Sequence, residues 1–109
     1  MENKRNISMN KQMVKMISNR KADLKWGQAI HSAGMCAVCG RTYGLEAHHI
    51  IHRNHKAVRH DVRNGCLLCW KHHRGKKSAH NTPAWFMAWL TANRPEQAEW
   101  VKANKWRIL

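Results

Sequence analysis

The sequence predicts one small α+β domain, two strands and a helix flanked by further helices at both termini, and three observations predict it. At 109 residues there is room for a single domain, with a hydrophobic core that is only marginally self-sufficient. Four cysteines fall as the pairs Cys36-x2-Cys39 and Cys66-x2-Cys69, a spacing at which two thiolates reach one zinc ion, and nine histidines crowd the same stretch of chain. Two short apolar runs separated by a polar loop read as strands, and proline-opened amphipathic stretches follow them. The expected architecture is therefore zinc-stabilised, and bound zinc would contribute on the order of 10 kcal/mol to folding.

The elements follow in order. Residues 1–25 carry Lys4, Arg5, Lys11, Lys15, Arg20, Lys21 and Lys25 around Met9, Met13, Met16 and Ile17, the pattern of a basic N-terminal arm or helix. This arm reads either as solvated or as ordering on a nucleic-acid backbone. The domain proper is expected over 26–109. It opens with a short helix over Trp26–Ala33 that stops at Gly34, then a tight turn at Cys36-Ala-Val-Cys-Gly40. Tyr43–Ile51 and Asn64–Cys69 are the two strands, residues 52–63 the loop between them, and Trp70–Lys77 a helix. Thr82 is a candidate N-cap with Pro83 at the first helical position, and Trp85, Ala88, Trp89 and Ala92 share one face of a helix over 83–92. Pro95 starts a last helix to about 106, acidic at its beginning and basic toward its end, as the helix dipole favours.

Charge narrows the partner. Lys plus Arg number 20 against 6 for Asp plus Glu, a formal charge of +14 that favours a polyanion, with nucleic acid first. The basic residues are spread through the chain, seven in 1–25, nine in 41–77 and four in 94–107, so a detachable arm does not account for them. A protein-interaction domain organised by zinc would leave this charge without a task. No run approaches the roughly 18 apolar residues of a membrane helix, so the chain reads as soluble and cytoplasmic, a mitochondrial presequence being the alternative.

The histidines carry the chemistry. Within Glu46-Ala47-His48-His49-Ile50-Ile51 stand two of them; Asn64 follows fifteen residues after His49, and His73 nine after that, within Cys69-x2-His72-His73. With Cys36-x2-Cys39 upstream, these spacings resemble the zinc-containing branch of the His-Asn-His (HNH) endonucleases, which have a ββα-metal core. The resemblance covers roughly Cys36–Lys77 and implies a core over about 36–80.

It further implies that His49 is the general base that activates water, that Asn64 fixes the loop and so positions His49, and that His48 and His73 hold one divalent cation. An imidazole with a pKa of about 6.5 is mostly neutral at pH 7 and able to accept that proton. The cation could be Mg2+, Mn2+, Ni2+ or Zn2+; two imidazoles lean away from Mg2+, which prefers oxygen. The structural zinc would take Cys36, Cys39, Cys69 and His72. The rival set Cys36, Cys39, Cys66 and Cys69 leaves His72 without a task and removes Cys66 from a core-facing strand position. Consecutive residues on a strand point to opposite faces, so His48 and His49 must reach around the phosphate from different sides.

The implied partner is DNA, hydrolysed at phosphodiester bonds by nicking or double-strand cleavage, with Arg53, Lys56, Arg59, Arg63, Arg74, Lys76 and Lys77 contacting its phosphates. A homodimer or a larger DNA-processing assembly is compatible with so small a chain. Small stand-alone members of this family are common in bacteriophage genomes, which implies a bacterial or phage-infected cytoplasm. The competing reading is a zinc-stabilised nucleic-acid-binding module without catalysis, separated from the enzyme by His48, His49, Asn64 and His73 alone. His80 is read as a surface histidine or a substitute ligand, and His31, His52, His55 and His60 as phosphate-contacting or solvent-exposed. Trp85, Trp89 and Trp100 are expected in the core, while Trp26, Trp70 and Trp106 are left open.

Overall fold

A computed structural model describes residues 10–107; Lys4, Arg5 and Met9 of the basic arm, and the side chain of Trp106, lie outside the described residues. The first element is one continuous helix, α1 (Lys11–His31), with Asn10 as N-cap accepting from the Met13 amide at 2.9 Å. The expected arm and the expected short helix are thus a single element that runs through residue 26. Its cause is local: residues 20–25, Arg-Lys-Ala-Asp-Leu-Lys, are mostly good helix formers and no proline interrupts them. Met13, Met16 and Ile17 are exposed on it, whereas Trp26 and Ile30 are buried.

After Gly34 the chain makes the cysteine turn, where the Cys36 amide donates to the Arg41 carbonyl and the Gly40 amide to the Cys36 carbonyl, each at 2.8 Å. Gly40 sits at φ 78°, a left-handed conformation that a side chain would strain. Strands β1 (Leu45–His49) and β2 (Gly65–Cys69) pair antiparallel, with Leu45 opposite Cys69, Ala47 opposite Leu67, His48 opposite Cys66 and His49 opposite Gly65. Both strands are shorter than expected. Gly44, at φ 63°, precedes β1, and Ile50 and Ile51 leave the ladder to bond Asn64, which ends a 3-10 turn (Val62–Asn64) rather than starting β2.

Helix α2 (Trp70–Arg74) stops three residues before the expected Lys77, at Gly75. The chain then folds back over it. The Ala79 and His80 amides donate to the His72 and His73 carbonyls at 2.8 and 3.2 Å, and Asn81 Nδ2 donates to the carbonyls of Arg74 and Gly75. Thr82 does not cap the next helix through its side chain; its hydroxyl donates to the Ser78 carbonyl and accepts from the Ser78 amide, closing this turn.

Helices α3 (Pro83–Asn93) and α4 (Pro95–Arg107) complete the fold. The buried face of α3 is Phe86 and Leu90, not the expected Trp85, Ala88, Trp89 and Ala92: Ala88 and Ala92 are exposed and both tryptophans half-buried. From Trp85 to Leu90 the helix is apolar all round, so periodicity does not single out one face. Trp100 is also only half-buried, with the Arg63 guanidinium 4.9 Å from its ring centre.

Three apolar clusters hold these parts. Cys66, Leu68 and Phe86 fill one side of the sheet, Ile51, Val58, Leu90, Ala98 and Val101 lie beneath the helical pair, and Trp26 and Ile30 pack on Leu67 across the other side. A Cβ at Gly65 would lie 3.0 Å from Trp26 Cζ2 and closer still to Ile30, so this glycine lets α1 approach the sheet. Among the described residues no helix is long and apolar enough to cross a membrane.

Candidate active site and metal centres

The sheet and α2 support two donor clusters, joined through the consecutive residues His72 and His73 of α2. In the first, the sulfurs of Cys36, Cys39 and Cys69 and a ring nitrogen of His72 all lie within 4.8 Å of one another. His72 Nδ1 is 3.4 Å from Cys69 Sγ and 3.8 Å from Cys36 Sγ, and Cys39 Sγ is 3.8 Å from Cys69 Sγ. Three thiols and one imidazole at these separations could hold a zinc ion, the chemistry of a closed tetrahedral site. Cys66 is not among them. It lies in the apolar cluster with Leu68 and Phe86, and burial pushes its thiol up to about 11.

The second cluster joins three elements: His48 from β1, His73 from α2 and His80 from the returning turn, with ring nitrogens within 4.8 Å of one another. His73 Nε2 and His80 Nε2 face each other at 3.0 Å, and both rings stand about 5 Å from that of His48. His48 is 8% exposed, with the edge of Phe86 against it. Burial first, then the neighbouring charges of His73 and His80, pushes its pKa down to about 3, so its lone pair is free across the working pH range. His73 Nδ1 lies 2.8 Å from Glu46 Oε1, which leaves Nε2 for the cluster. A carboxylate behind a ligand imidazole fixes its tautomer and raises its basicity, so the donor set fits a divalent transition ion. Residue spacing gave Glu46 no role, and the strand alternation that puts it on the His48 face is the signal that could have found it.

His49 sits on the other face of β1. Its ring lies flat on Trp26, with centroids 3.7 Å apart and planes 8° from parallel, and its Nε2 is 2.9 Å from the Arg59 carbonyl oxygen. Burial lowers its pKa, the Arg59 carbonyl opposing and the charges of Arg53 and Arg59 adding to the fall. Both histidines nevertheless border one cleft of about 430 Å3. Asn64, fully buried, takes the Ile51 amide at 2.6 Å and donates to the carbonyls of Ile51 and Val58 at 3.0 and 3.3 Å, tying the loop to the strand end.

The basic residues divide by what they already touch. Arg53, Lys56, Lys76 and Lys77 are exposed. Arg59, Arg63 and Arg74 are held by two hydrogen bonds each to Asp23, Asp61 and Glu46. His60, expected at phosphate or in solvent, instead bonds Asp23 at 2.7 Å. His31 and His52 are exposed and His55 half-buried at the cleft. The cleft also receives Lys102 and Lys105 from α4, whose spacing in the sequence suggested only dipole compensation.

No curated protein and no solved structure matches the chain significantly. Residues 36–79, from Cys36 of the cysteine turn to the residue before His80, match the family model described as HNH endonuclease. That segment holds the paired strands, α2 and every donor of both clusters except His80. Over these residues, less than half of the chain, the sequence is similar to the HNH endonuclease family.

Proposed function

We propose that this protein is a metal-dependent endonuclease that hydrolyses DNA phosphodiester bonds, leaving 5′-phosphate and 3′-hydroxyl ends. His49 is the base, His48, His73 and His80 hold one divalent cation, Asn64 organises the loop, and Cys36, Cys39, Cys69 and His72 hold a structural zinc. The observation that carries this reading is that His48 and His80 of the three-histidine cluster border one cleft together with the separately oriented His49.

The chemistry of His49 follows from its partner. A carbonyl oxygen only accepts, so the Nε2 facing Arg59 carries the proton and Nδ1 keeps the lone pair that removes a proton from water. Because burial lowers its pKa, the ring is neutral and ready at pH 7. A cation at the histidine cluster would stabilise charge on the phosphate and on the leaving 3′ oxygen. Lys102 and Lys105, with Arg53 and Lys56 nearby in the loop, would take the flanking phosphates. One such site cuts one strand, so a single copy is expected to nick.

The test is a supercoiled-plasmid assay with Mg2+, Mn2+ or Ni2+ and an EDTA control, running wild type beside His49→Ala, with both shown to be folded and zinc-loaded. Metal-dependent nicking that vanishes in His49→Ala is the expected result. Equal plasmid binding by both proteins with no cleavage under any metal would favour a nucleic-acid-binding module instead.

A further inference from the structure

The base is held by a segment that lies outside the HNH match. Asp23 and Trp26 stand three residues apart on α1, hence on one face of the helix, and both reach residues 59–61 of the loop between the strands. The Asp23 carboxylate accepts from Arg59 Nε and a terminal guanidinium nitrogen at 2.9 and 2.6 Å, and lies 2.7 Å from His60 Nε2. Trp26 Nε1 donates to the Asp61 carbonyl at 3.0 Å. Between these anchors lies the Arg59 carbonyl that receives His49 Nε2, and Trp26 also supplies the ring face on which His49 rests.

The loop's own bonds flank this carbonyl rather than hold it. Residues 52–61 form successive turns, with the Arg59 amide 3.4 Å from the Lys56 carbonyl and the Asp61 amide 3.2 Å from the Val58 carbonyl; the Asn64 side chain secures the loop at Val58 and Ile51, and the Asn64 amide donates to the Asp61 carbonyl at 2.9 Å. A hydrogen bond sets which imidazole nitrogen carries the proton, so a displaced Arg59 carbonyl frees His49 to change tautomer or rotate. Either change removes the lone pair from where water must be met.

We infer that Asp23 and Trp26 are positioning residues for His49: α1 clamps the Arg59 carbonyl and stacks the ring, fixing the tautomer and orientation of the base. This rests on the reading of His49 as base, yet its structural half stands without it. Arg59 then serves the protein interior through Asp23 rather than DNA, and α1 belongs to the catalytic unit rather than to a separable arm.

The experiment uses the full-length zinc-loaded chain as wild type, Asp23→Ala, Asp23→Glu, Arg59→Ala and the double variant Asp23→Ala/Arg59→Ala. Cleavage of a short duplex with Mn2+ gives kcat and KM, and imidazole 15N shifts at pH 8 give the His49 tautomer. Expected is one Nε2-protonated tautomer in wild type, a mixture in Asp23→Ala, and a kcat lower by about 100-fold with little change in KM, the scale of an ångström of misplacement. Asp23→Glu should recover part of the loss. Asp23→Ala and Arg59→Ala should be non-additive in kcat, because both break one contact.

A wild-type tautomer and kcat in Asp23→Ala would overturn the inference while leaving the nuclease reading intact. A lower melting temperature with an unchanged tautomer would also overturn it, making Asp23 merely structural. Were no metal to give cleavage, the tautomer comparison would still decide whether α1 holds the ring, and the failure would fall on the proposed activity alone. Trp26→Phe, which keeps a stacking ring but not the bond to Asp61, is the second variant should Asp23→Ala fail to fold, with the same tautomer readout.

Discussion

Asn64 and Ile51 are joined reciprocally: the Asn64 amide oxygen accepts from the Ile51 N–H at 2.6 Å and its Nδ2 donates to the Ile51 carbonyl at 3.0 Å. An amide side chain alone combines the acceptor and the two donors that this corner uses. Asn64→Ala leaves the buried Ile51 groups without partners, and with about 1–3 kcal/mol per orphaned group the expected cost is about 3 kcal/mol. Urea melts of the zinc-loaded protein measure it. A loss below about 1 kcal/mol would mean that the loop is held by other contacts.

The cysteines should separate by cluster. Cys36→Ser is expected to lose zinc and unfold, since Cys36 belongs to the Cys3His group. Cys66→Ala is expected to keep a full equivalent of zinc and cost only about 1–2 kcal/mol, because it removes one buried sulfur from the apolar cluster. Zinc release measured with a colorimetric chelator distinguishes them. Loss of metal from Cys66→Ala would restore the four-cysteine set.

Acid should silence the base. Protonated His49 accepts nothing, so the cleavage rate falls as pH drops through the folded-state pKa, which burial sets below 6.5. The rate should therefore stay level from pH 8 to about 6.5 and decline below it. A duplex-cleavage profile at fixed Mn2+ and constant ionic strength tests the sign. A rate that rose as the pH fell below 6.5 would exclude His49.

Lys102 and Lys105 border the cleft and, among the described residues, have no carboxylate partner, unlike Arg63 and Arg74. Changing both to Ala should weaken duplex binding uniformly across sequences and reduce the salt slope of log K by about 2, one per phosphate contact. Anisotropy titrations at several salt concentrations with EDTA present provide the comparison. An unchanged slope would place the DNA elsewhere.

The zinc set is legible in the sequence because a two-residue gap between thiols is a local constraint, and His72 follows Cys69 at the same spacing. His80 is less so. Its approach to His73 depends on the turn tied by Ser78, Asn81 and Thr82, whose hydrogen bonds leave no periodic mark. The buried face of α3 is hidden for the opposite reason, since every residue from Trp85 to Leu90 is apolar enough to qualify. Trp26 and Asp23 offer no local signal at all: their hydrogen-bond partners lie 35 to 37 residues away, and only packing of α1 on the sheet joins them.

His72 and His73 are consecutive on the one short turn of α2, yet they face different donor clusters. If the two clusters are filled as proposed, the thiolate centre is the footing of the histidine cluster, and the two occupancies would obey a hierarchy. A zinc-starved chain would be disarmed however much manganese surrounded it, and adding back the catalytic ion alone would not rearm it.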